Sequence, residues 1–428
     1  MKLMISLFLL CYSMHCTSVV AQHSLPPQQF INGDAGAAGF DPARLKLLDN
    51  WLSEFVSKGM APNAVTFVAR KGVIVHSKAY GFSNMEKKSK AGVNDIFRIA
   101  SQTKAIASVT LMTYFEEGRF LLDDPISKYI PAFSETSVLV SYDTANPVSG
   151  KFTTRKPSTP VTIRHLLSHS AGIPYEHPLD GRDEFKVPYL SSMNAEKLED
   201  VVNRLAKRPL VSDPGTSFVY GLNTDIVGRL IEVLSGKSLD VAITERVLKP
   251  LGMNDTYFYL PKNKRSRLVE LYSKPGADDK LSLHPFDSTR FYPVSGAQSY
   301  FSAGAGLVST AADYAKFCQM LLNGGQFNDR KIVGRKTIDL MLQNQIGDNR
   351  FWGRNDYFGL GFQVITDESK YGDQASPGSF TWGGAYCSEY TIDPKEDLIL
   401  MVFTNVHPYA HYSDFVRKFR ILVYQALQ

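Results

Sequence analysis

The stretch Phe97-Arg98-Ile99-Ala100-Ser101-Gln102-Thr103-Lys104 decides the reading. It sets a serine and a lysine at i and i+3, followed by the run Ala105-Ile106-Ala107-Ser108-Val109-Thr110-Leu111-Met112. On a helix, residues three apart share a face, with Cβ atoms about 5–6 Å apart. The Lys104 amine is therefore expected within hydrogen-bond reach of the Ser101 hydroxyl. An amine acts as a base only where desolvation disfavours its charged form, and the apolar neighbours suggest such a place. A serine beside a base is an activated nucleophile. Taken alone, Ser-x-x-Lys is a weak pattern that a capping serine and a surface lysine satisfy equally well.

Outward from this stretch, the chain supplies context. Its 428 residues are ample for a deep core, and 44% hydrophobic with 21% charged residues is ordinary for a globular protein. Aromatics at 12% suit a lined pocket. The net charge of +5 is small, and with no long Lys/Arg block nucleic-acid binding has no support. Residues 1–21 read as a signal peptide: Lys2, the apolar run Leu3 to Tyr12, then Val19-Val20-Ala21 before a cut at Gln22. That run is shorter than the roughly 20 residues a bilayer span needs. The expectation is an exported protein, periplasmic or secreted, with no membrane span and an oligomeric state left open. Without the leader, Cys318 and Cys387 remain, and they could pair or stay free.

Residues 22–40 read as an extended arm. A helix is expected over Asp41 to Lys58, with Asp41 as N-cap and Pro42 in the first turn. Ala64 to Ala69 and Val73 to His76 read as a hairpin around Arg70-Lys71-Gly72. Phe133 to Pro160 reads as irregular. Thr162 can cap a short helix ending near Gly172, and in it His165 and His169 stand at i, i+4. A His-Glu-x-x-His metal motif lacks its glutamate here, so both histidines read as structural. Tyr220 precedes a helical stripe from Thr224 to Ser235. Ala303 to Thr310 is rich in small residues but lacks the ending of a phosphate loop, and reads as close packing before the helix Ala311 to Leu322. Strands return at Gly359 to Ile365, Ser379 to Ile392 and Leu398 to Phe403, and a helix closes the chain from Ser413. With strands at both ends and helices between, the economical fold is α+β. One antiparallel sheet is built from both chain ends with flanking terminal helices, and a mostly helical domain is inserted.

Ser101-Gln102-Thr103-Lys104, Tyr220 and Trp382-Gly383-Gly384 fall in an order that resembles the serine β-lactamase and penicillin-binding superfamily, in its class C-like branch. His165-Leu166-Leu167-Ser168-His169-Ser170-Ala171-Gly172, Pro214-Gly215 and Pro250-Leu251-Gly252-Met253 are similar to other phrases of that family. The resemblance covers about residues 40 to 425. It implies a single β-lactamase-like unit over 22–428, with an α/β part at about 40–95 and 300–428 and a helical part at about 96–299. Two motifs depart from the β-lactamase pattern. Leu222, not asparagine, stands two after Tyr220, with Asn223 one later. The third motif is Trp382-Gly383-Gly384 in place of Lys-Thr-Gly or His-Thr-Gly. Both departures resemble the family VIII carboxylesterases. A tryptophan supplies an apolar wall and no charge for a substrate carboxylate, which favours neutral acyl esters.

The resemblance implies a serine hydrolase that cleaves carboxylic esters through an acyl-enzyme. Ser101 is the implied nucleophile, with Lys104 or Tyr220 as base. The backbone N–H groups of Ser101 and Ala385 would hold the oxyanion, and Trp382, Gly383, Gly384 and Asn223 would contact substrate. No metal or cofactor is implied. The alternatives are a β-lactamase or D-amino-acid peptidase, acyl transfer in place of hydrolysis, and a non-catalytic ligand-binding relative.

Overall fold

A computed structural model of the chain describes residues 29–187, 195–349, 351–369 and 374–428. The leader assigned to residues 1–21, with Cys11 and Cys16, lies outside the described residues.

The centre of the fold is a nine-stranded sheet. Across it run Ile31–Asn32, Val73–Asn84, Asn63–Arg70, Leu398–Phe403, Ser388–Asp393, Phe380–Gly384, Gln363–Val364 and Tyr357–Phe358, with Ser89–Lys90 beside Val73–Asn84. The two chain ends meet in the middle, where Leu398–Phe403 lies antiparallel to Asn63–Arg70. Period-2 alternation explains this sheet. Val65, Phe67, Ala69, Ile399, Met401 and Phe403 face one core, while Ala64, Val68, Leu398, Leu400 and Val402 face another. Both faces are covered, so the central strands are near-continuous apolar runs.

The terminal helices Pro42–Ser57 and Tyr412–Tyr424 cover the second face through Leu45, Leu48, Leu52, Phe415 and Phe419. Asp41 caps the first of them, its Oδ1 accepting from the Ala43 and Arg44 N–H groups at 2.8 and 3.2 Å. The inserted helices pack on the other face. Their hub is Thr103–Glu116, every residue of which from Thr103 to Tyr114 is buried. A helix enclosed on all sides needs no polar stripe, which is why this segment shows no amphipathic pattern.

Three expectations change. Residues 31–32 of the supposed arm form an edge strand parallel to Val73-Ile74, so the sheet is mixed. The stretch from Phe133 to Pro160 holds a β-hairpin, Val138–Tyr142 with Phe152–Arg155. The strand at Gly359 to Ile365 is shorter: Gln363–Val364 turns back on Tyr357–Phe358. Cys318 and Cys387 are free and buried, and burial pushes both thiols well above their usual pKa.

Candidate active site

Ser101 sits in a single 3₁₀ turn, Ala100–Gln102, that feeds the buried helix Thr103–Glu116. The turn is entered through Ala100 at φ +42°, a left-handed conformation that costs a non-glycine residue about 1–3 kcal/mol. Burial of Ala100 against Leu271, Tyr292 and Tyr386 holds it there. One turn on, the Lys104 Nζ donates to the Ser101 Oγ at 3.1 Å. Lys104 is 2% exposed, and its amine also donates to the Tyr175 hydroxyl and the Gly304 carbonyl, both at 2.7 Å. Three acceptors for three N–H bonds fix the ammonium. A neutral amine fits the same cradle, with two donors to Tyr175 and Gly304 and a lone pair for the Ser101 proton.

Tyr220 meets this amine through its ring: the Lys104 Nζ lies 4.8 Å from the ring centroid. The Tyr220 hydroxyl accepts from the Trp382 Nε1–H at 3.2 Å. Two phenols therefore flank the amine, their rings 5.5 Å apart. Gly221 makes this possible, since a Cβ there would stand 2.1 Å from the Ile173 carbonyl oxygen. Only a glycine lets the Tyr220 segment lie against the backbone that carries Tyr175. Sequence reasoning missed Tyr175, although it stands only three residues after the phrase His165 to Gly172.

Behind the amine, the Asp225 carboxylate is buried and accepts from Ser302 Oγ at 2.8 Å, Tyr300 OH at 3.3 Å and the Gly304 N–H at 3.4 Å. Burial raises its pKa, against those hydrogen bonds and the nearby Lys104. It orders the small-residue stretch whose Gly304 carbonyl cradles Lys104. The expectation of close packing for that stretch acquires a purpose here.

Ser101 and Tyr220 open on one pocket of about 290 Å³ with Trp352, Arg354, Gln363, Trp382, Gly383, Gly384, Ala385, Glu389 and Tyr412. Gly383 and Gly384 line it, but packing within the protein is what demands Gly384. A Cβ there would stand 2.3 Å from the Ile99 carbonyl oxygen, two residues before the serine. The glycine brings the strand Phe380–Gly384, and Ala385 after it, against the Ser101 turn. Trp382 supplies the expected apolar wall, extended by Trp352 with ring centroids 5.8 Å apart. Charge enters from elsewhere, at Arg354 and at Glu389, whose carboxylate accepts from Arg420 at 2.7 Å. Neither was foreseen.

Asn223 is not brought to this pocket, which corrects the expectation that it touches substrate. It is fully buried, with its Nδ2 within 3.0 Å of His169 Nδ1, 3.1 Å of the Ile173 carbonyl and 3.2 Å of the Val219 carbonyl. As the first residue of the helix Asn223–Ser235, it points into the core. The two histidines are tied into turns. His165 Nδ1 accepts the Thr162 N–H at 3.2 Å, closing a capping box. His169 lies under the Tyr220 ring, centroids 4.7 Å apart, and burial drives its pKa well below the usual histidine value. Among the described residues, no group of three or more His, Cys, Asp or Glu side chains could hold a metal ion, and no helix is long and apolar enough to cross a membrane.

The chain is 27% identical to monacolin J acid methylbutanoyltransferase of Aspergillus terreus, over 92% of this chain and 98% of that one. It is 26% identical to the esterase EstB of Burkholderia gladioli, over 86% of this chain and 94% of that one. Among solved structures, EstCE1, described as a hydrolase with promiscuous acyltransferase activity, superposes with a TM-score of 0.75 at 24% identity, covering 89% of this chain and 99% of that chain. The sequence pattern of the Beta-lactamase family matches residues 48–425, nearly the whole chain, and the protein belongs to that family.

Proposed function

We propose that the protein is a serine hydrolase that cleaves carboxylic esters through an acyl-enzyme on Ser101. The observation that carries this reading is the 3.1 Å contact between the Lys104 amine and the Ser101 hydroxyl at the mouth of an aromatic pocket. In the first step the Ser101 proton passes to the Lys104 Nζ as the oxygen attacks the ester carbonyl. The backbone N–H groups of Ser101 and Ala385 hold the developing oxyanion. One such donor is worth roughly 3–4 kcal/mol in comparable sites. The tetrahedral adduct collapses as the leaving alkoxide takes a proton that Lys104 supplies, through Tyr175, to which it is hydrogen-bonded, or through Tyr220 once bound substrate brings that phenol to the amine. Water then attacks the acyl carbonyl as its proton passes to the same base, and the adduct collapses with that proton returned to Ser101 Oγ as the C–O bond to the serine breaks and the acid leaves. Trp382 in place of a lysine, with Trp352 beside it, favours ester substrates with apolar groups over the anionic ends of β-lactams or cell-wall peptides. Arg354 adds a charged group to the pocket lining.

The test is turnover of p-nitrophenyl acetate and butyrate beside nitrocefin, in wild type and Ser101→Ala. Ester hydrolysis that disappears in the variant supports the reading. Rapid nitrocefin turnover with poor ester turnover supports a β-lactamase or peptidase. No turnover of either, with no fluorophosphonate labelling of Ser101, would leave a ligand-binding relative.

A second reading is acyl transfer, favoured by the likeness to the methylbutanoyltransferase over 92% of this chain. It needs the same residues, with an alcohol or amine in place of water. Adding alcohol acceptors and measuring the ratio of ester to free acid separates the two. Export, suggested by residues 1–21, belongs to this proposal, and fractionation of cells that make the full chain tests it.

A further inference from the structure

The proposed oxyanion site draws its N–H groups from two separate segments, the Ser101 turn and the turn after the strand Phe380–Gly384. One short segment, Thr404 to His407, touches both. On the serine side, Asn405 Oδ1 accepts the Arg98 N–H at 3.1 Å and Asn405 Nδ2 donates to the Arg98 carbonyl at 3.3 Å. On the other side, three successive carbonyls of the turn are taken. Cys387 O accepts from the Thr404 N–H at 3.0 Å, and Tyr386 O from the Val406 N–H at 3.1 Å. Ala385 O lies 3.1 Å from His407 Nδ1.

The last contact differs from the other two because a side chain makes it. A carbonyl only accepts, so His407 carries its proton on Nδ1 and donates it. The two peptide planes that flank Ala385 are then both pinned. Gly384 O accepts from the Cys387 N–H at 2.9 Å, and Ala385 O accepts from His407. Cys387, at φ +62°, completes a turn that needs such holding. The His407 ring is itself fixed, stacked 6.3 Å from His284 and edge-on to Tyr386 at 5.7 Å. His284 Nδ1 accepts from the Phe286 N–H at 3.2 Å, so its proton sits on Nε2. Burial lowers the pKa of both rings, consistent with a neutral pair.

We infer that His407 is a positioning residue for the oxyanion site: its Nδ1–H holds the Ala385 carbonyl, and so the peptide after Ala385, while Cys387 N–H holds the peptide before it, so that the Ala385 N–H stays at the cleft beside Ser101. Asn405 does the same for the Ser101 segment, and the strut Thr404 to His407 keeps the two donors at one spacing. This rests on the ester-hydrolase reading above. A donor allowed to drift loses strength mainly in the transition state, where the negative oxygen forms.

The test uses the full chain with p-nitrophenyl butyrate, and fluorophosphonate labelling of Ser101 as a second readout. His407→Ala is expected to lower kcat about tenfold with KM within about twofold, and to slow labelling by a similar factor. His407→Asn, whose amide nitrogen can stand where Nδ1 stood, is expected to recover most of both. His407→Gln, whose amide lies one carbon further out, is not. The inference is overturned if His407→Ala keeps the wild-type kcat, if the loss falls on KM, or if Asn and Gln behave alike. Should His407→Ala fail to fold, the Asn and Gln pair alone decides. If wild type neither turns over esters nor labels, the hydrolase reading has failed and this inference goes with it. If wild type does both and the variants match it, only the role of His407 is lost.

Discussion

The two sides of the cleft are built on opposite plans. On one side lies the amine cradle. Lys104 is buried, each of its protons has an acceptor, and the acceptors Tyr175 and Gly304 are held in turn by Gly221 packing and by Asp225. On the other side lies the rim of Trp352 and Arg354, where Trp352 is 54% exposed. The cradle has one arrangement because every polar group in a low-dielectric site must be answered. The rim can change shape and composition at little cost in stability. On the proposed hydrolase reading, chemistry belongs to the first side and selectivity to the second, and the two should fail differently when altered.

The largest effect is expected from the cradle. Ser101→Ala should lower ester turnover by about a thousandfold or more with Tm unchanged, measured with p-nitrophenyl butyrate and thermal melts. Tyr220→Phe should cost roughly a hundredfold in kcat, the scale of a lost proton relay. Tyr175→Phe, which removes one acceptor from the buried amine, should cost about tenfold. If Tyr175→Phe proves the more damaging, the relay runs through Tyr175 and the Tyr220 hydroxyl only lines the pocket.

Asn223 marks the boundary of the comparison. Asn223→Ala removes the shared donor of His169, Ile173 and Val219, and should lower stability by about 1–3 kcal/mol with KM unchanged. A raised KM at unchanged Tm would return Asn223 to the substrate. On the rim, Trp352→Ala should raise KM for aromatic esters by about tenfold, roughly 1.4 kcal/mol, with kcat and Tm near wild type. Equal losses in kcat would mean that Trp352 serves the chemistry too.

The smallest effect concerns pH. Burial holds His169 neutral, and the nearby Lys104 charge acts in the same direction, so its folded pKa is depressed. The unfolded chain then binds a proton first as the pH falls. Stability is complete above the ordinary histidine pKa near 6.5 and declines progressively below it. In His169→Gln, Tm should fall less between pH 8 and pH 5 than in wild type, while Trp352→Ala should keep the wild-type slope. Identical slopes in wild type and His169→Gln would refute this account of the cradle.

What could be read in the linear chain was whatever depends on short spacing. Ser101 and Lys104 lie one helical turn apart, so no tertiary information was needed to pair them. The apolar runs Ala64 to Ala69 and Leu398 to Phe403 declared strands of one sheet built from both chain ends, and Asp41-Pro42 declared a helix start. Trp382-Gly383-Gly384 was visible as a motif, but the reason for its second glycine was not. That reason is the Ile99 carbonyl, distant in sequence and close in space.

Tertiary structure alone decided the rest. Tyr175 joins Lys104 only because Gly221 lets two loops touch, and His407 reaches Ala385 only because the strut after Leu398–Phe403 runs past the turn. Asn223 left the site because the helix it opens turns its amide inward. These outcomes depend on contacts between residues tens to hundreds of positions apart. Local propensity carries no record of such contacts, since packing and hydrogen-bond satisfaction are settled only when the whole core closes.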